Sequence, residues 1–156
     1  MGAEARTHGE VVVADRKSSA AELMRAAGPW SVPVGASVAQ AAQALTTSGL
    51  PMVPVCAADL KLAGIFTAAA LVAAVTSDEA RAGRPVDDLM NTDPPFVADY
   101  ASLEWVLIEM QDAHLWALPV VDAEHRLLGI IALPELTKLV FPPLLVEIWE
   151  HAALPN

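Results

Sequence analysis

The sequence has few charged residues, few aromatic residues and a single cysteine. Of its 156 residues 18% are charged and 54% are apolar, so the chain has enough apolar side chains for a full core, and we expect disorder only at its ends. The one cysteine, Cys56, excludes an intramolecular disulfide. The longest weakly polar run, Leu62 to Val75, is shorter than the roughly 20 apolar residues of a spanning helix. We therefore expect a globular protein that does not cross a membrane.

Basic residues are scarce as well. Nine Lys and Arg residues, spread along the chain without a cluster larger than two, stand against 19 Asp and Glu residues, giving a net charge of −10. This balance excludes the basic surface that binding to nucleic acid or an anionic membrane requires. The N-terminus has no secretory signal pattern, so we expect a cytoplasmic protein. An apolar excess without a membrane span indicates surface buried against another chain, and we expect a homodimer, with a further protein partner left open.

The sequence repeats itself. When it is aligned with itself at a shift of 65 residues, twelve positions between residues 32 and 75 fall on identical residues. The pairs are Val32/Val97, Ala36/Ala101, Ser37/Ser102, Leu50/Leu115, Pro54/Pro119, Val55/Val120, Ala58/Ala123, Leu62/Leu127, Gly64/Gly129, Ile65/Ile130, Leu71/Leu136 and Val75/Val140. Leu23-Met24 also matches Leu89-Met90, at a shift of 66. The chain is therefore expected to contain one structural unit twice.

Each copy has the same pattern of elements. Ser37 is a candidate N-cap, and apolar residues follow it at the i, i+3, i+4, i+7 spacing of a buried helix face; Ser102 opens the same pattern in the second copy. Two short apolar strands separated by a polar turn then predict a β-hairpin, at 52–56 with 62–66 and at 117–121 with 127–131. A closing helix follows each hairpin, with Thr67 as a plausible cap in the first copy. Each copy is thus strand, helix, strand, strand, helix, an α/β (α+β) unit.

The domain limits follow from this pattern. We expect an N-terminal tail over 1–17, a first copy over 18–76, a connector over 77–85, a second copy over 86–141 and a C-terminal helical extension over 142–156. The spacing of Ser19 and Glu22 is that of a capping box, which predicts a short helix ending near Gly28. In the C-terminal extension, an amphipathic helix over 144–154 is a candidate dimer contact.

The ordered motifs of the two copies resemble a known family. The second copy has Asp88-Leu89-Met90, then Leu118-Pro119-Val120-Val121-Asp122, then Leu128-Gly129-Ile130-Ile131 before a helix. The first copy has Glu22-Leu23-Met24, Val53-Pro54-Val55 and Ala63-Gly64-Ile65-Phe66-Thr67. In this order and spacing they resemble a CBS domain, and together a free-standing tandem CBS pair over about residues 20–141.

This resemblance implies a pseudo-twofold pair whose sheets pack face to face and leave two clefts between the copies. In the family these clefts commonly bind adenine nucleotides or adenosyl compounds such as S-adenosylmethionine, and the module acts as a regulatory sensor. Carried onto this sequence, the cleft positions include Val32 and Val97 and the residues around each hairpin.

The polar positions of the family pattern are only half present in each copy. Nucleotide-binding members place Thr or Ser after the second hairpin strand and Asp three residues later; here these positions are Thr67 and Ala70, and Ala132 and Glu135. The basic residue that precedes the first hairpin strand in phosphate-binding members is replaced by Met52 and Ala117. Without it, each lost charge-assisted hydrogen bond costs about 1.5–3 kcal/mol, and two weaken phosphate binding by ~100-fold or more.

The missing cations favour a less charged ligand, such as an adenosyl compound, or no small ligand. Glu135 could accept hydrogen bonds from a ribose diol, whereas the plainer interpretation of Thr67 is a helix N-cap. His114 and Trp116 border the second hairpin and are candidates to line a cleft, with a packing role as the alternative.

Other types of site have little support. Glu147, Glu150 and His151 have a spacing that an exposed helix face explains as well as metal binding, so we expect no metal. No nucleophile motif, glycine-rich phosphate loop or metal-ligand spacing is present, so we do not expect an enzyme. Two functions stay open: a ligand-sensing regulatory module, and a ligand-free dimeric platform for protein interactions.

Overall fold

A computed structural model describes residues 17–26, 30–77 and 82–139, together with Ile148 and Glu150. Within these residues lie five α-helices, a short 3-10 helix at Val86–Asp88 and seven strands. The α-helices and strands are numbered separately. In chain order they are α1 Ala20–Leu23, β1 Arg25–Ala26, β2 Val32–Pro33, α2 Val38–Ser48, β3 Met52–Cys56, β4 Leu62–Thr67, α3 Ala68–Thr76, β5 Val97–Ala98, α4 Leu103–Ala113, β6 Ala117–Val121, β7 Leu127–Ala132 and α5 Leu133–Leu139.

The two copies form two small mixed sheets. In the first, β2 runs parallel to β3 and β3 pairs antiparallel with β4; in the second, β5, β6 and β7 repeat this arrangement. The registers are equivalent, since Val55 pairs with Gly64 in one hairpin and Val120 with Gly129 in the other. The predicted order of strand, helix, strand, strand, helix is therefore confirmed in both copies.

The main helix of each copy begins and ends as its sequence indicates. The Ser37 side chain accepts a hydrogen bond from the Gln40 amide and Gln40 accepts one from the Ser37 amide, which is a complete capping box. Ser102 accepts from the Trp105 amide in the second copy. Both helices end on a left-handed residue, Gly49 and His114.

The first segment of each copy packs on the other copy. Strand β1 pairs antiparallel with β7, and the segment around Asn91 bridges to Ile65 of β4 by two backbone hydrogen bonds. The expected helix from Ser19 to near Gly28 is wrong in its length, because α1 ends at Leu23 and the chain then extends to join this second sheet. Each sheet is thus completed by residues from the opposite copy.

This exchange explains why a Leu-Met pair and a Gly recur in both copies. A Cβ atom on Gly64 would lie 2.6 Å from the Asn91 carbonyl oxygen and 2.9 Å from the Met90 sulfur. A Cβ atom on Gly129 would lie 2.6 Å from the Met24 sulfur and would also meet the Arg25 carbonyl oxygen. Only glycine lets the exchanged segment approach this closely.

The core has two parts within the copies and one between them. Each copy buries one face of its sheet under its own main helix and under the opening segment of the other copy, which contributes Ala20 and Leu23 to one core and Val86 to the other. Cys56 at the end of β3 is buried. A third cluster joins the two sheets face to face and contains Leu50, Met52, Ile65, Ala117, Ile130 and Ala132. The hairpin turns also meet, since the Leu62 amide donates to the His125 carbonyl and the Leu127 amide donates to the Leu60 carbonyl.

Several predictions fall wholly or largely outside the described residues. These are the N-terminal tail over 1–17, of which only Lys17 is described, and most of the predicted C-terminal helix, including Glu147 and His151. Glu150 is exposed. Ile148 is buried and packs on the core of the second copy. No helix in the described ranges is long and apolar enough to cross a membrane.

Candidate functional site

A cavity of about 450 Å³ opens between the copies, at the end of β4. We call it the Thr67 cleft. The first copy contributes Ile65 and Thr67, and the second contributes the chain segment before β5 and the C-terminal end of α4. Its lining residues are Ile65, Thr67, Asn91, Asp93, Pro94, Pro95, Ala113 and Leu115.

Thr67 has a structural role and still faces this cleft. Its hydroxyl oxygen accepts a 3.0 Å hydrogen bond from the Ala70 amide at the start of α3, as the N-cap interpretation predicts. An accepted bond leaves the hydroxyl hydrogen available as a donor. Thr67 can therefore cap its helix and donate to a bound molecule at the same time.

The other polar groups of the Thr67 cleft lie on the exchanged segment. Asn91 is held by its backbone pairing with Ile65, and its side-chain oxygen accepts a 2.9 Å hydrogen bond from the Asp93 amide. The turn this bond closes keeps Asn91 and Asp93 together at the rim, where both are exposed. No basic side chain is among the described lining residues, so the charge facing this cleft is negative.

The pseudo-equivalent cleft at the end of β7 is arranged differently. We call it the Glu135 cleft. Arg25 stands where the other copy has Asn91, and its Nη1 atom lies 3.1 Å from a carboxylate oxygen of Glu135, which stands where the other copy has Ala70. The Arg25 guanidinium also lies over the ring of Trp30, 5.2 Å from its centroid, within the range of a cation–π contact.

Exposure differs between equivalent positions of the two clefts. In the Thr67 cleft Thr67 and Leu115 are half-buried, whereas their counterparts Ala132 and Leu50 are 2% and 8% exposed. Trp30 packs against the cluster between the sheets. Its counterpart in the second copy is Pro95, since each residue stands two positions before the equivalent valine, Val32 or Val97. The floor of the Glu135 cleft is therefore covered where that of the Thr67 cleft is open.

The remaining predicted site residues are distributed between core and surface. Met52 and Ala117 are fully buried between the two sheets, and Val32 and Val97 lie in the cores of their own copies. Ala70 packs on the first core as the third residue of α3.

His114 and Trp116 line a separate and smaller cavity. Its volume is about 190 Å³, and it lies at the C-terminal end of α4 beside the first residue of α5. Leu115 borders this cavity as well as the Thr67 cleft. His114 and Trp116 are thus near the Thr67 cleft but are not among its described lining residues.

The one thiol is not disposed for chemistry. Burial raises the pKa of the Cys56 thiol above its ordinary value, so the thiol stays protonated at neutral pH. A protonated, buried thiol is a poor nucleophile. Cys56 is accordingly a core residue, as its place in an apolar strand indicates.

The sequence identified Thr67 and Glu135 as positions that differ between the copies, but not the other residues that distinguish the two clefts. Asn91, Asp93 and the two prolines belong to a polar segment without helical or strand periodicity, and Arg25 and Glu135 are 110 positions apart. The available signal was the repeat itself: once Leu23-Met24 is aligned with Leu89-Met90, Arg25 falls on Asn91. Comparing those two residues would have shown that the clefts carry different side chains.

Comparison with protein families matches the second copy. The family model described as the CBS domain covers residues 86–141. A curated relative, homoserine O-acetyltransferase of Methanosphaera stadtmanae, is 26% identical over 104 residues, which is 67% of this chain and 20% of that protein. The chain therefore spans about a fifth of the length of the curated relative it matches.

Solved structures match both copies together. A candidate acetoin utilization protein (AcuB) of Vibrio cholerae has a TM-score of 0.69 and 28% identity, covering 88% of this chain and 98% of that one. The CBS domain protein PAE2072 of Pyrobaculum aerophilum, complexed with AMP, has a TM-score of 0.71 and 20% identity, covering 84% and 98%. The CBS domain pair of protein MJ0100, complexed with 5'-methylthioadenosine and S-adenosylmethionine, has a TM-score of 0.66 and 18% identity, covering 78% and 94%.

Proposed function

We propose that this chain, which is a CBS-domain pair protein, is a regulatory ligand-sensing module that binds an adenosine-containing molecule in the Thr67 cleft. The observation that carries the proposal is the open cavity between the copies, which joins apolar walls to three polar side chains. Its role is to report occupancy to another molecule rather than to catalyse a reaction.

The size and lining of the Thr67 cleft suit a nucleoside. Ligand pockets commonly measure about 300–1,000 Å³ and combine apolar walls with a few polar groups that fix orientation. Ile65, Leu115 and the two prolines offer flat apolar contact for a purine. Thr67 can donate a hydrogen bond, and the side chains of Asn91 and Asp93 can accept them from ribose hydroxyls.

The charge of the Thr67 cleft favours one class of adenosine compound. Asp93 is an acidic residue in the lining, no basic side chain is described there, and the chain carries a net charge of −10. A triphosphate would meet repulsion without a charge-assisted bond, whereas a neutral thioether or cationic sulfonium would not. The AMP complex of PAE2072 and the adenosyl complexes of MJ0100 make these compounds the first ligands to test.

Isothermal titration calorimetry with AMP, ATP, S-adenosylmethionine, 5'-methylthioadenosine and NADH tests this proposal. We expect at least one adenosyl compound to bind, and to bind at least ~10-fold more tightly than ATP. Ala113→Phe, which fills the cleft, should abolish binding, and Asp112→Phe, which adds the same ring at an exposed neighbouring position, should not. If none of the five compounds bound, the proposal would be overturned, as it would be by unchanged binding to the Ala113→Phe variant.

A second candidate function, a dimeric interaction platform, has its own support. Helices α2 and α3 contain no charged residue, and Val72 and Val75 on α3 are 64% and 63% exposed. Helix α4, which is the equivalent of α2 in the second copy, carries Glu104, Glu109 and Asp112. Because like charges face each other across a twofold axis, two chains of net charge −10 approach most readily through an uncharged face.

Sedimentation equilibrium tests the platform directly. We expect a dimer that Val72→Glu and Val75→Glu each dissociate at least ~10-fold more readily, while Trp105→Glu, at a 51% exposed apolar residue of α4, leaves it intact. A monomeric unmodified chain would contradict this candidate. Equal weakening by all three substitutions would also contradict it, because the interface would then not be confined to the first copy.

A further inference from the structure

We propose that the Glu135 cleft is closed by the chain's own side chains, so that each chain takes a single ligand; the ligand count, though not the closure, rests on the function proposed above. A duplicated fold would by itself offer two equivalent sites. The side chains of Arg25, Trp30 and Glu135 remove one of them.

The carboxylate of the Glu135 cleft is already engaged. Glu135 occupies the position from which an acidic side chain could accept hydrogen bonds from a ribose, but one of its oxygens lies 3.1 Å from Arg25 Nη1. Both side chains are about one-quarter to one-third exposed, at 27% and 32%, so solvent only partly screens the pair. A ligand entering here would have to displace a guanidinium from its carboxylate.

The apolar surface of the Glu135 cleft is engaged as well. Trp30 packs on the cluster between the sheets, and Arg25 lies over its ring at 5.2 Å. In that same cluster Leu50 and Ala132 are buried, although their counterparts Leu115 and Thr67 are half-buried in the open cleft. The indole thus covers the surface against which a purine would otherwise pack.

The first copy lacks both halves of this closure. Its counterparts of Arg25 and Glu135 are Asn91 and Ala70, which are too short to form an ion pair across the cleft and carry no charge. Arg25 Nε is buried without a hydrogen-bond partner among the described residues, so the closure depends on the ion pair and the ring contact. Removing Glu135 alone should therefore loosen it.

The closure can be tested without any ligand. In a chain whose other tryptophans are changed to phenylalanine (Trp105→Phe, Trp116→Phe, Trp149→Phe), acrylamide should quench Trp30 several-fold more slowly than free tryptophan. Glu135→Ala should raise the quenching constant at least ~2-fold, and Glu124→Ala should leave it unchanged. The exchanged pair Arg25→Glu with Glu135→Arg should lower the constant again only in part, because the ion pair returns but no guanidinium lies over Trp30. Quenching at the free rate in the parent, or no response to Glu135→Ala, would overturn the closure.

The ligand count is tested by calorimetry with whichever adenosine compound binds. We expect one molecule per chain, and a weakening of at least ~10-fold when the pair is transplanted into the open cleft by Asn91→Arg with Ala70→Glu. Two molecules per chain would overturn the inference. If no compound binds, the proposed function fails while the quenching result still decides whether the Glu135 cleft is closed.

Discussion

The two copies have the same fold and different surfaces. Both bury a glycine of the hairpin under an exchanged segment, pair the same strands in the same register and cap the main helix with serine. Yet residues 26–77 contain two charged residues and the equivalent residues 91–142 contain ten. The contacts that hold the sheets together have kept the copies alike, and positions outside those contacts have diverged.

The two clefts likewise match at positions that pack between the sheets and differ at positions outside those contacts. Two apolar residues of the Thr67 cleft, Ile65 and Leu115, match their counterparts Ile130 and Leu50, because all four pack in or against the cluster between the sheets. The residues at the rims do not match, because a rim position needs only to fit solvent or a ligand. A repeat in sequence therefore predicts a repeated fold more securely than a repeated site.

The largest loss of stability is expected at the paired glycines. Gly64→Ala and Gly129→Ala should each destabilise the chain by about 1–3 kcal/mol, because the new Cβ atom meets a backbone carbonyl of the exchanged segment. Gly83→Ala, where a Cβ atom meets nothing within 4 Å, is the matched control. Urea unfolding measures all three. If one glycine tolerated alanine and the other did not, the exchange would not be equivalent in the two copies.

A smaller effect is expected at the helix caps, and it should differ between the copies. Ser37→Ala should cost about 1 kcal/mol, and Ser102→Ala somewhat less, since Ser37 belongs to a complete capping box whereas Trp105 cannot return a side-chain hydrogen bond. In a chain that carries Gln40→Ala, the further loss of stability caused by Ser37→Ala should equal the loss caused by Ser102→Ala. Thermal unfolding of the variants checks this order, and a greater loss for Ser102→Ala would reverse it.

The smallest effect on stability is expected at the turn of the second hairpin, where it depends on pH. The Arg126 amide and side chain and the Glu124 amide donate hydrogen bonds to Asp122, and together with the charge of Arg126 they lower the pKa of Asp122 below its ordinary value. A carboxyl whose pKa is lower in the folded state stabilises that state above the unfolded pKa, near 4, and loses this contribution as pH falls further.

Titration of the Asp122 carboxyl by carbon NMR measures this directly. We expect its pKa to lie below that of an unfolded aspartate, and Arg126→Gln to raise it only in part, because the backbone bond from residue 126 is its largest cause and remains. Asp122→Asn should make the loss of stability below pH 4 slightly less steep. An Asp122 pKa at or above the ordinary value would contradict the hydrogen-bonded turn.

Local signals predicted the elements of the fold but not how the copies exchange segments. Helix faces, serine caps and hairpins each depend on residues within about ten positions, and these predictions were confirmed. The exchange of β1 onto the other sheet depends on contacts between Arg25 and Ile130, which no local pattern encodes. Leu60 and His125 adopt left-handed backbone conformations without being glycine, so the usual turn signal was missing there as well.

The central claim is that the fold is duplicated while one cleft is open and the other is closed. Amide NMR shifts during titration of the labelled chain with S-adenosylmethionine or 5'-methylthioadenosine test it most directly. We predict saturable shifts at Ile65, Thr67 and Asn91, with Ala132 and Glu135 unchanged at the same ligand excess. Comparable shifts at both sets of residues would show two open clefts and would contradict the account.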